Sequence, residues 1–492
     1  MDAAIVGTGP NGLAAGVILA RAGLSVQLFE AGDTVGGGLR SAALFDSDVV
    51  HDLCSAVHPM AAASRFFREF DLGGRGVEML RSQAAFAHPL TEAPAGIAYP
   101  DLDRTCERLG RDGPRWRRLM APLIRHSEAV TDLVLSDQRH LPVDPPAALA
   151  LGPRVLAYGT AAGAGRLFRE PTAAALLAGV AAHAIGRLPS LPGGAIAMLL
   201  GHLAHRTGWP LPRGGGQSIA DALAADIEAH GGVVHTASPV RDLRELAEAK
   251  VVLLNVSPRV FLDLAGPLLP ERYRKRLRAF RYGPGAAKVD FLVSEPIPWA
   301  DPDVAAAATV HLGDEQADVF AHETAVTRGE RPDEPFVLLV DPAAADPGRA
   351  HRGRRPVWAY CHVPNGDRAD ARKRIQARIE QFAPGFGDTV LACRSVPAAE
   401  LEDYNPNYVG GDIAAGAITL PQMLARPALR ADPYGTPLPG VYLCSASTPP
   451  GPSVHGMAGY HAARAVLRRE FGVRQLPSLQ PDPARYPGEA MR

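Results

Sequence analysis

Three glycines near the start of the chain have the spacing of a nucleotide-binding turn. Gly7, Gly9 and Gly12 fill the glycine positions of G-x-G-x-x-G. In such a turn the first glycine permits a tight bend, the second lets the backbone approach a pyrophosphate, and the third lets a helix pack closely on a strand. Glu30 follows roughly 20 residues later, where a carboxylate can bind ribose hydroxyls. Because an acid there disfavours a 2′-phosphate, we expect an adenine dinucleotide without that group.

The residues around the turn predict the elements that would position it. Ile5 and Val6 end an apolar run typical of a buried strand, and an Ala- and Leu-rich helix is predicted to begin at Asn11. The N-terminus of that helix directs free N–H groups and about half a positive charge at a phosphate. Glu30 ends the second predicted strand. The alternative is a glycine-rich turn in an unrelated α/β unit.

Three further features favour FAD over NAD. A second glycine cluster at 36–38 lets the chain pass close to a phosphate, and Arg40 follows it. A predicted strand ends at Val240, where the backbone amide and carbonyl could bind an adenine edge. The loop before a C-terminal helix ends at His455 and Gly456. The positive end of that helix, directed at the flavin pyrimidine, would stabilise the anion formed on reduction.

Segments of the nucleotide-binding sheet recur far along the chain. Apolar runs at 251–256 and 441–444 lack alternation, as do strands covered on both faces. Helices are predicted at 218–230 and 455–471. The fold class is therefore predicted as α/β, with a discontinuous Rossmann-like FAD-binding domain and an inserted α+β substrate domain. The predicted FAD-binding domain comprises 1–83, 209–282 and 434–492, and the substrate domain with its helical subdomain comprises 84–208 and 283–433.

Composition excludes several classes of protein. Lys plus Arg number 51 and Asp plus Glu 52, and the resulting net charge of -1 provides no field for nucleic acid. The five cysteines include no C-x-x-C pair, which argues against zinc and against a disulfide framework, so we expect a reducing cytoplasm. We also expect no signal peptide and no membrane-spanning helix. The Ala-, Gly- and Arg-rich composition suggests a bacterial source.

At this point the sequence resembles the phytoene dehydrogenase-related branch of the flavin amine oxidase superfamily, near the pyridine nucleotide-disulphide oxidoreductase domain-containing protein 2 group. The matching blocks span the chain: GTGPNGLAAG, FEAGDTVGGGLRS, HDLCSAVHP, LPRGGGQSIADALA, YCHVPNG, NPNYVGGDI and YLCSASTPPGPSVHGMAGYHAAR. The resemblance implies non-covalent FAD on a GR2-type flavoprotein fold. Relatives often carry three glycines where this chain has Gly451, Pro452 and Ser453.

The motifs and the resemblance together define a predicted set of cofactor-binding residues. They are Gly7, Gly9, Pro10, Asn11, Gly12, Glu30, Ala31, Gly37, Gly38, Leu39, Arg40, Val57, His58, Val240, Ser445, Ala446, Val454, His455, Gly456 and Met457.

The expected activity is dehydrogenation, or desaturation, of an apolar or largely apolar small molecule by hydride transfer to flavin N5. The apolar stretch 173–203 is a candidate pocket wall, and a buried pair of core helices is the alternative. No second G-x-G-x-x-G of good quality is present, so oxygen or a quinone is expected to reoxidise the flavin.

Several polar residues are candidates for further roles. His455 is the candidate catalytic residue, and a helix cap is its alternative role. His51 and His58 are expected to make structural hydrogen bonds. His183, His202 and His205 lack a carboxylate in the same stretch, so no metal site is predicted. Tyr404 and Tyr408 flank either a pocket loop or a simple turn.

The basic run at 272–281 is predicted to be a solvated helix face, and contact with anionic lipid is the alternative. A homodimer is left open. Three rival functions remain: a flavin-dependent isomerase without net redox change, a lipid carrier without FAD, and amine oxidation. The intact dinucleotide motifs argue against the carrier. Amine oxidation usually relies on an aromatic pair that frames the flavin, and the C-terminal loop offers only Tyr460.

Overall fold

Two β-sheets organise the molecule in a computed structural model that describes residues 1–45, 48–137, 139 and 143–482. The strands are β1 Ala3–Val6, β2 Val26–Phe29, β3 Ser41–Ala43, β4 Val50–Asp52, β5 Met79–Leu80, β6 Phe86–His88, β7 Gly96–Ala98, β8 Leu211–Pro212, β9 Val233–His235, β10 Val251–Leu254, β11 Gly285–Val293, β12 Thr309–Leu312, β13 Val337–Val340, β14 Arg355–Val363, β15 Val390–Val396 and β16 Val441–Leu443.

Helices surround both sheets. They are α1 Pro10–Arg21, α2 Pro59–Ala63, α3 Arg65–Phe70, α4 Leu102–Arg108, α5 Gly113–Arg125, α6 Ser127–Val134, α7 Pro145–Tyr158, α8 Ala161–Leu167, α9 Pro171–Ala181, α10 Leu191–Arg206, α11 Gln217–Ala229, α12 Pro258–Ala265, α13 Glu271–Arg278, α14 Gln316–Thr327, α15 Arg372–Phe382, α16 Phe386–Thr389, α17 Leu401–Tyr404, α18 Leu420–Ala425 and α19 Met457–Glu470.

The first sheet is parallel, with strand order β16-β10-β1-β2-β9. β1 and β10 are buried throughout, as expected for central strands covered by helices on both faces. α1 packs on both α11 and α19, so the first helix of the chain contacts the last. This Rossmann-like arrangement confirms the predicted α/β class, although the domain boundaries themselves stay a prediction.

Some predicted element bounds were wrong. β9 ends at His235, so Val240 does not end a strand but lies five residues beyond it. The residues between them turn back toward β2, since the Ser238 amide donates to the Glu30 carbonyl at 2.7 Å. α19 begins at Met457 rather than at His455, because Gly456 adopts a left-handed conformation with φ +68° and forms the N-cap.

The second sheet has seven strands in the order β15-β11-β14-β13-β12-β6-β7, and most of its pairs are antiparallel. Alternate residues divide it into two faces. One face belongs to a purely apolar cluster with Val289, Phe291 and Val357, which also includes α15. The opposite face turns toward the larger core, which contains α9, α10 and the helices of the first sheet.

The apolar stretch at 173–203 forms parts of α9 and α10, which pack on each other in the larger core. This agrees with the buried helix pair that we gave as the alternative to a pocket wall. In the part of the chain that the structure describes, no helix has the length and apolarity needed to cross a bilayer.

Candidate functional site

The glycine turn between β1 and α1 leaves room for backbone only. Gly7 has φ +89°, a conformation that favours glycine, and its amide donates to the Phe29 carbonyl at 2.8 Å. A Cβ added to Gly12 would lie 2.1 Å from the Gly7 carbonyl oxygen. Asn255 directly follows β10. Its Nδ2 donates a hydrogen bond to the Gly7 carbonyl at 3.2 Å and so stabilises the turn.

Two helix N-termini meet beside this turn. The Ala458 amide in α19 donates to Asn11 Oδ1 in α1 at 3.2 Å. A Cβ on Gly459 would lie only 1.9 Å from the Asn11 carbonyl oxygen, so the helices touch at backbone distance. Neither N-cap residue, Gly9 or Gly456, has a side chain to cap its helix. The two positive helix ends therefore converge on one space, which suits an anionic group.

Glu30 lies just beyond β2 and fastens the strand end to the turn. Its Oε2 accepts hydrogen bonds from the Thr8 amide at 3.0 Å and the Thr8 hydroxyl at 2.5 Å, and its Oε1 accepts from the Gly32 amide at 2.9 Å. A carboxylate has about four lone-pair sites, so at least one stays open to a ribose hydroxyl. Val240 is half-buried and packs on a separate apolar cluster under the sheet.

The second glycine segment covers the first. The Gly36 amide donates to the Thr8 carbonyl at 3.0 Å, and a Cβ on Gly37 would lie 3.0 Å from the Gly9 Cα. Arg40 Nε donates to the Gly37 carbonyl at 3.1 Å, while its Nη2 reaches the Tyr404 carbonyl at 2.8 Å. The second glycine segment thus packs against the first glycine turn, and Arg40 adds a positive charge beside it.

The remaining predicted cofactor residues take several positions. Leu39 is buried in the core, whereas Ala31 is exposed. His58 is buried, and burial lowers the pKa of its ring to about 4. Ser445 is buried and accepts from the Ser447 amide at 3.2 Å within the C-terminal loop. Two of the others are the first residues of helices: Pro10 begins α1 and Met457 begins α19. Val57 and Gly38 directly precede His58 and Leu39, and Ala446 and Val454 lie in the loop between β16 and α19.

His455 is fully buried, and both of its ring nitrogens have partners. Nδ1 accepts a hydrogen bond from the Met457 amide at 2.9 Å, and Nε2 lies 3.1 Å from the Gly451 carbonyl. Burial lowers the pKa of the ring to about 4, although the carbonyl contacts oppose that shift. The neutral ring therefore fixes the loop ahead of α19. This geometry matches the capping role given as the alternative, and the catalytic role stays a prediction.

The structure contains two stacked aromatic pairs, which the sequence analysis did not recognise as pairs. Tyr404 and Tyr408 stack with ring centroids 6.3 Å apart, and Tyr404 Oη donates to the Gly37 carbonyl at 2.5 Å. Tyr408 Oη lies 3.5 Å from Cys54 Sγ. The second pair, Trp358 and Tyr360 on β14, stacks at 5.7 Å. Since these residues come from separate segments, a search of the C-terminal loop alone could not reveal them.

The inner face of the second sheet carries ionisable side chains. Lys288 is buried on β11, where Nζ donates to Asp290 Oδ1 and to the Asp52 carbonyl. Burial raises the pKa of Asp290 despite this ammonium group. The structural hydrogen bond expected of His51 is wrong: neither ring nitrogen has a hydrogen-bond partner among the described residues, and Nδ1 lies 3.9 Å from Asp290 Oδ1. Burial, together with the charge of Lys288, lowers the pKa of His51 to about 4. Asp52 joins the network from β4 and pairs with Arg349 Nη2 at 3.0 Å.

A buried acid lies farther along the same face. Glu323 on α14 is fully buried, and its Oε1 contacts His362 Nδ1 at 2.6 Å and His322 Nδ1 at 3.2 Å. Burial opposes its ionisation, but the two imidazoles hold the pKa of Glu323 below its usual value. Glu323 Oε2 and the Nε2 atoms of both histidines have no partner among the described residues. An alternating signal, Trp358, Tyr360 and His362 in an otherwise apolar strand, could have revealed this face.

The three histidines considered for a metal do not meet. His202 bonds Ser127, His205 bonds Trp116, and His183 lies 2.9 Å from His311 between their Nε2 atoms. Across the described ranges no group of three or more His, Cys, Asp or Glu has the geometry to hold an ion.

Taken together, the first site fits a dinucleotide. The turn and the second glycine segment form a cradle that a Cβ would fill, and two helix N-termini and Arg40 supply positive charge. Cys54, Tyr360 and Tyr408 are each half-buried, and Tyr408 Oη lies 3.5 Å from Cys54 Sγ.

Comparisons with known proteins agree with this geometry. A family model described as NAD(P)-binding Rossmann-like domain matches residues 5–70. The chain is 25% identical to pyridine nucleotide-disulfide oxidoreductase domain-containing protein 2 of Rattus norvegicus, over 95% of this chain and 93% of the rat protein.

Solved structures share the fold at low identity. A putrescine oxidase variant superposes with a TM-score of 0.60 at 17% identity, covering 95% of this chain and 99% of that one. A fatty acid isomerase from P. acnes gives 0.54 at 15%, covering 95% and 98%. The predicted resemblance and the predicted fold are confirmed by these comparisons. The chain is similar to pyridine nucleotide-disulfide oxidoreductase domain-containing protein 2 along nearly its whole length, and it shares its fold with putrescine oxidase.

Proposed function

We propose that the protein binds FAD non-covalently and dehydrogenates an apolar or largely apolar small molecule, with oxygen or a quinone as the final acceptor. The observation that carries the proposal is the backbone cradle at Gly7, Gly12 and Gly37, which two helix N-termini and Arg40 complete. FAD, when bound, supplies the acceptor for a hydride from the substrate.

The chain's own residues would bind, orient and deprotonate the substrate. A small apolar cluster of Ile185, Ala414 and Ile418 would exclude water from its apolar part. Loss of a hydride leaves a proton to be removed, and in this proposal His362 takes it. Because Nδ1 of His362 faces the Glu323 carboxylate, that nitrogen carries the hydrogen and Nε2 keeps its lone pair. Lys288 would orient a polar group of the substrate at the same face.

An absorption spectrum of the purified protein is the first test. We expect the two flavin bands and about one FAD per chain. Glu30→Arg should lower FAD affinity because it removes the ribose partner and crowds the adenosine end. Glu248→Arg, the same charge change at an exposed position, is the matched control and should keep its FAD. A protein without flavin, unrecovered on adding FAD, would refute the proposal and favour a lipid carrier.

Anaerobic mixing with a panel of polyenes and cyclic amines then identifies the substrate class. Bleaching of the flavin by a polyene supports the dehydrogenation proposed here. Bleaching by amines alone favours amine oxidation, a second candidate supported by the stacked pairs Tyr404–Tyr408 and Trp358–Tyr360. Turnover that requires prior chemical reduction and consumes no acceptor would identify an isomerase instead.

A further inference from the structure

The outer face of α7 is apolar along its whole length. Leu149 is 76% exposed and Leu156 is 60% exposed, and both lie on one side of the helix. The exposed positions of α7 are Pro145, Pro146, Leu149, Pro153, Leu156 and Ala157. A helix on the surface of a globular protein normally shows polar residues to water. The outer face of α7 therefore exposes apolar side chains to solvent where polar ones are expected.

The single charged residue of α7 does not alter this face. Arg154 is half-buried, and its guanidinium donates to the carbonyls of Leu119, Ala150 and Arg118 at 2.7–2.9 Å. These bonds direct the charge inward, toward α5. The exposed side of the helix stays without an ionic group.

A second exposed apolar segment lies at 420–429. Leu420 and Leu424 on α18 are 47% and 40% exposed, and Leu429 is 64% exposed. Arg139, which precedes α7 in the sequence, donates from Nη1 to the Arg430 carbonyl just beyond this segment. Of the ten large apolar side chains that are strongly exposed among the described residues, six lie in these two segments, counting Val143. Scattered exposed leucines need no explanation, but such a concentration does.

Basic residues border both segments. Arg276 Nη1 donates to the Leu429 carbonyl at 3.3 Å, which places the cationic helix α13 against the second segment. Lys275 and Arg281 are exposed nearby. On the other side, Arg118 and Arg125 of α5 are exposed in a cleft that Arg154 also lines. An apolar surface between two groups of cations is complementary to a bilayer with anionic headgroups.

The second segment also connects with the interior. Met423 on α18 packs against the small cluster of Ile185, Ala414 and Ile418, and Ile196 of α10 packs against the same cluster. This apolar cluster is separate from the two main cores and lies directly behind the exposed leucines of α18.

We propose that the outer face of α7 and the segment 420–429 form a docking surface that rests on an anionic phospholipid bilayer. The leucines enter the headgroup region, while the arginines and lysine of α5 and α13 contact lipid phosphates. The protein lies on the membrane without crossing it. This surface is independent of the proposed reaction, since its argument uses no catalytic residue.

Co-sedimentation of the FAD-loaded protein with vesicles tests the proposal. We expect binding to phosphatidylcholine vesicles that contain phosphatidylglycerol, and little binding to phosphatidylcholine alone. The double variant Leu149→Glu, Leu156→Glu should lower the partition coefficient by more than about tenfold. The double variant Arg118→Gln, Arg125→Gln should lower it by about fivefold per cation removed, and added salt should act in the same direction.

Leu391→Glu is the matched control, because Leu391 is 54% exposed on the edge strand β15, away from both segments. It should bind vesicles like the wild type. Flavin absorbance and circular dichroism would show that each variant is folded. Absence of binding by the wild type, equal binding to neutral vesicles, or equal loss in Leu391→Glu would each overturn the proposal. It would likewise fail if light scattering showed a lipid-free dimer that Leu149→Glu, Leu156→Glu converts to monomers.

Discussion

The two sheets of this molecule build their sites in opposite ways. At the parallel sheet the functional surface is backbone: Gly7, Gly12 and Gly459 approach neighbouring main chain so closely that a Cβ would collide with it. At the seven-stranded sheet the functional surface consists of side chains, with Lys288 and His362 on its inner face. The first design fixes a shape that suits a dinucleotide. In the proposed function, the second assigns the choice of substrate to a few buried polar groups.

The difference predicts a strong sensitivity to acid at the side-chain surface. Nine described histidines have pKa values lowered by burial, among them His88, His183 and His311 near the second sheet. Unfolding lets these rings bind protons, so their stabilisation is complete above pH 6.5 and is lost as pH falls toward 4. We expect a loss on the order of 5 kcal/mol between pH 7 and pH 5, measured by urea unfolding.

One histidine variant sharpens this prediction. His311→Asn keeps a polar partner for His183 and should make the dependence on pH shallower, by up to about 1.4 kcal/mol per pH unit. His351→Asn, at an exposed position, should leave the dependence unchanged. Identical pH profiles for wild type and His311→Asn would show that the buried rings do not control acid sensitivity.

A change at the backbone surface should be the next largest in effect. Gly12→Ala places a Cβ 2.1 Å from the Gly7 carbonyl oxygen, so we expect loss of FAD and destabilisation by roughly 2–4 kcal/mol. FAD content and thermal unfolding measure both. Gly165→Ala is the control, because a Cβ there meets no atom within 4 Å and alanine favours the helix. Retention of FAD and stability in Gly12→Ala would refute a backbone-built site.

Glu323→Gln tests the side-chain surface without changing its shape. The amide oxygen can still accept from His362 Nδ1, but the negative charge is lost, and we expect destabilisation by about 1–3 kcal/mol at pH 7 with FAD content unchanged. Glu334→Gln, at a side chain 83% exposed, should change stability little. Loss of FAD from Glu323→Gln at unchanged stability would place this acid with the cofactor rather than with the substrate.

The smallest expected effect concerns a side chain within the backbone-built region. Ser453 has φ +108°, where a glycine is favoured, and it is exposed in the loop before α19. Ser453→Gly should raise the free energy of unfolding by about 1 kcal/mol, measured by urea unfolding, with FAD retained. Ser453→Ala keeps the Cβ and should bring no gain. A loss of stability in Ser453→Gly would mean that the serine hydroxyl stabilises this loop by more than the backbone strain costs.

The same contrast explains what the sequence could predict. The glycine turn, Glu30 and the first helix lie within one short stretch, so their spacing predicts them. His362 and Glu323 are 39 residues apart and meet only because β14 passes beneath α14. Tyr404 approaches Gly37 across 367 residues. Contacts of that kind follow from topology, and no local pattern encodes them. The error at Val240 is different, since the strand that Val233 and Val234 predict ends at His235 and does not extend to Val240.

The contact between Asn11 and Ala458 joins two helices that are far apart in the order of synthesis. β1 pairs with β10, and β10 pairs with β16, so a ribosome must have released residue 443 before the parallel sheet is complete. Among the described helices, α19 is the last to be synthesised, and it contacts α1 beside the glycine turn. A chain that stops before residue 441 lacks both β16 and α19, and therefore lacks one of the two helix N-termini that meet there.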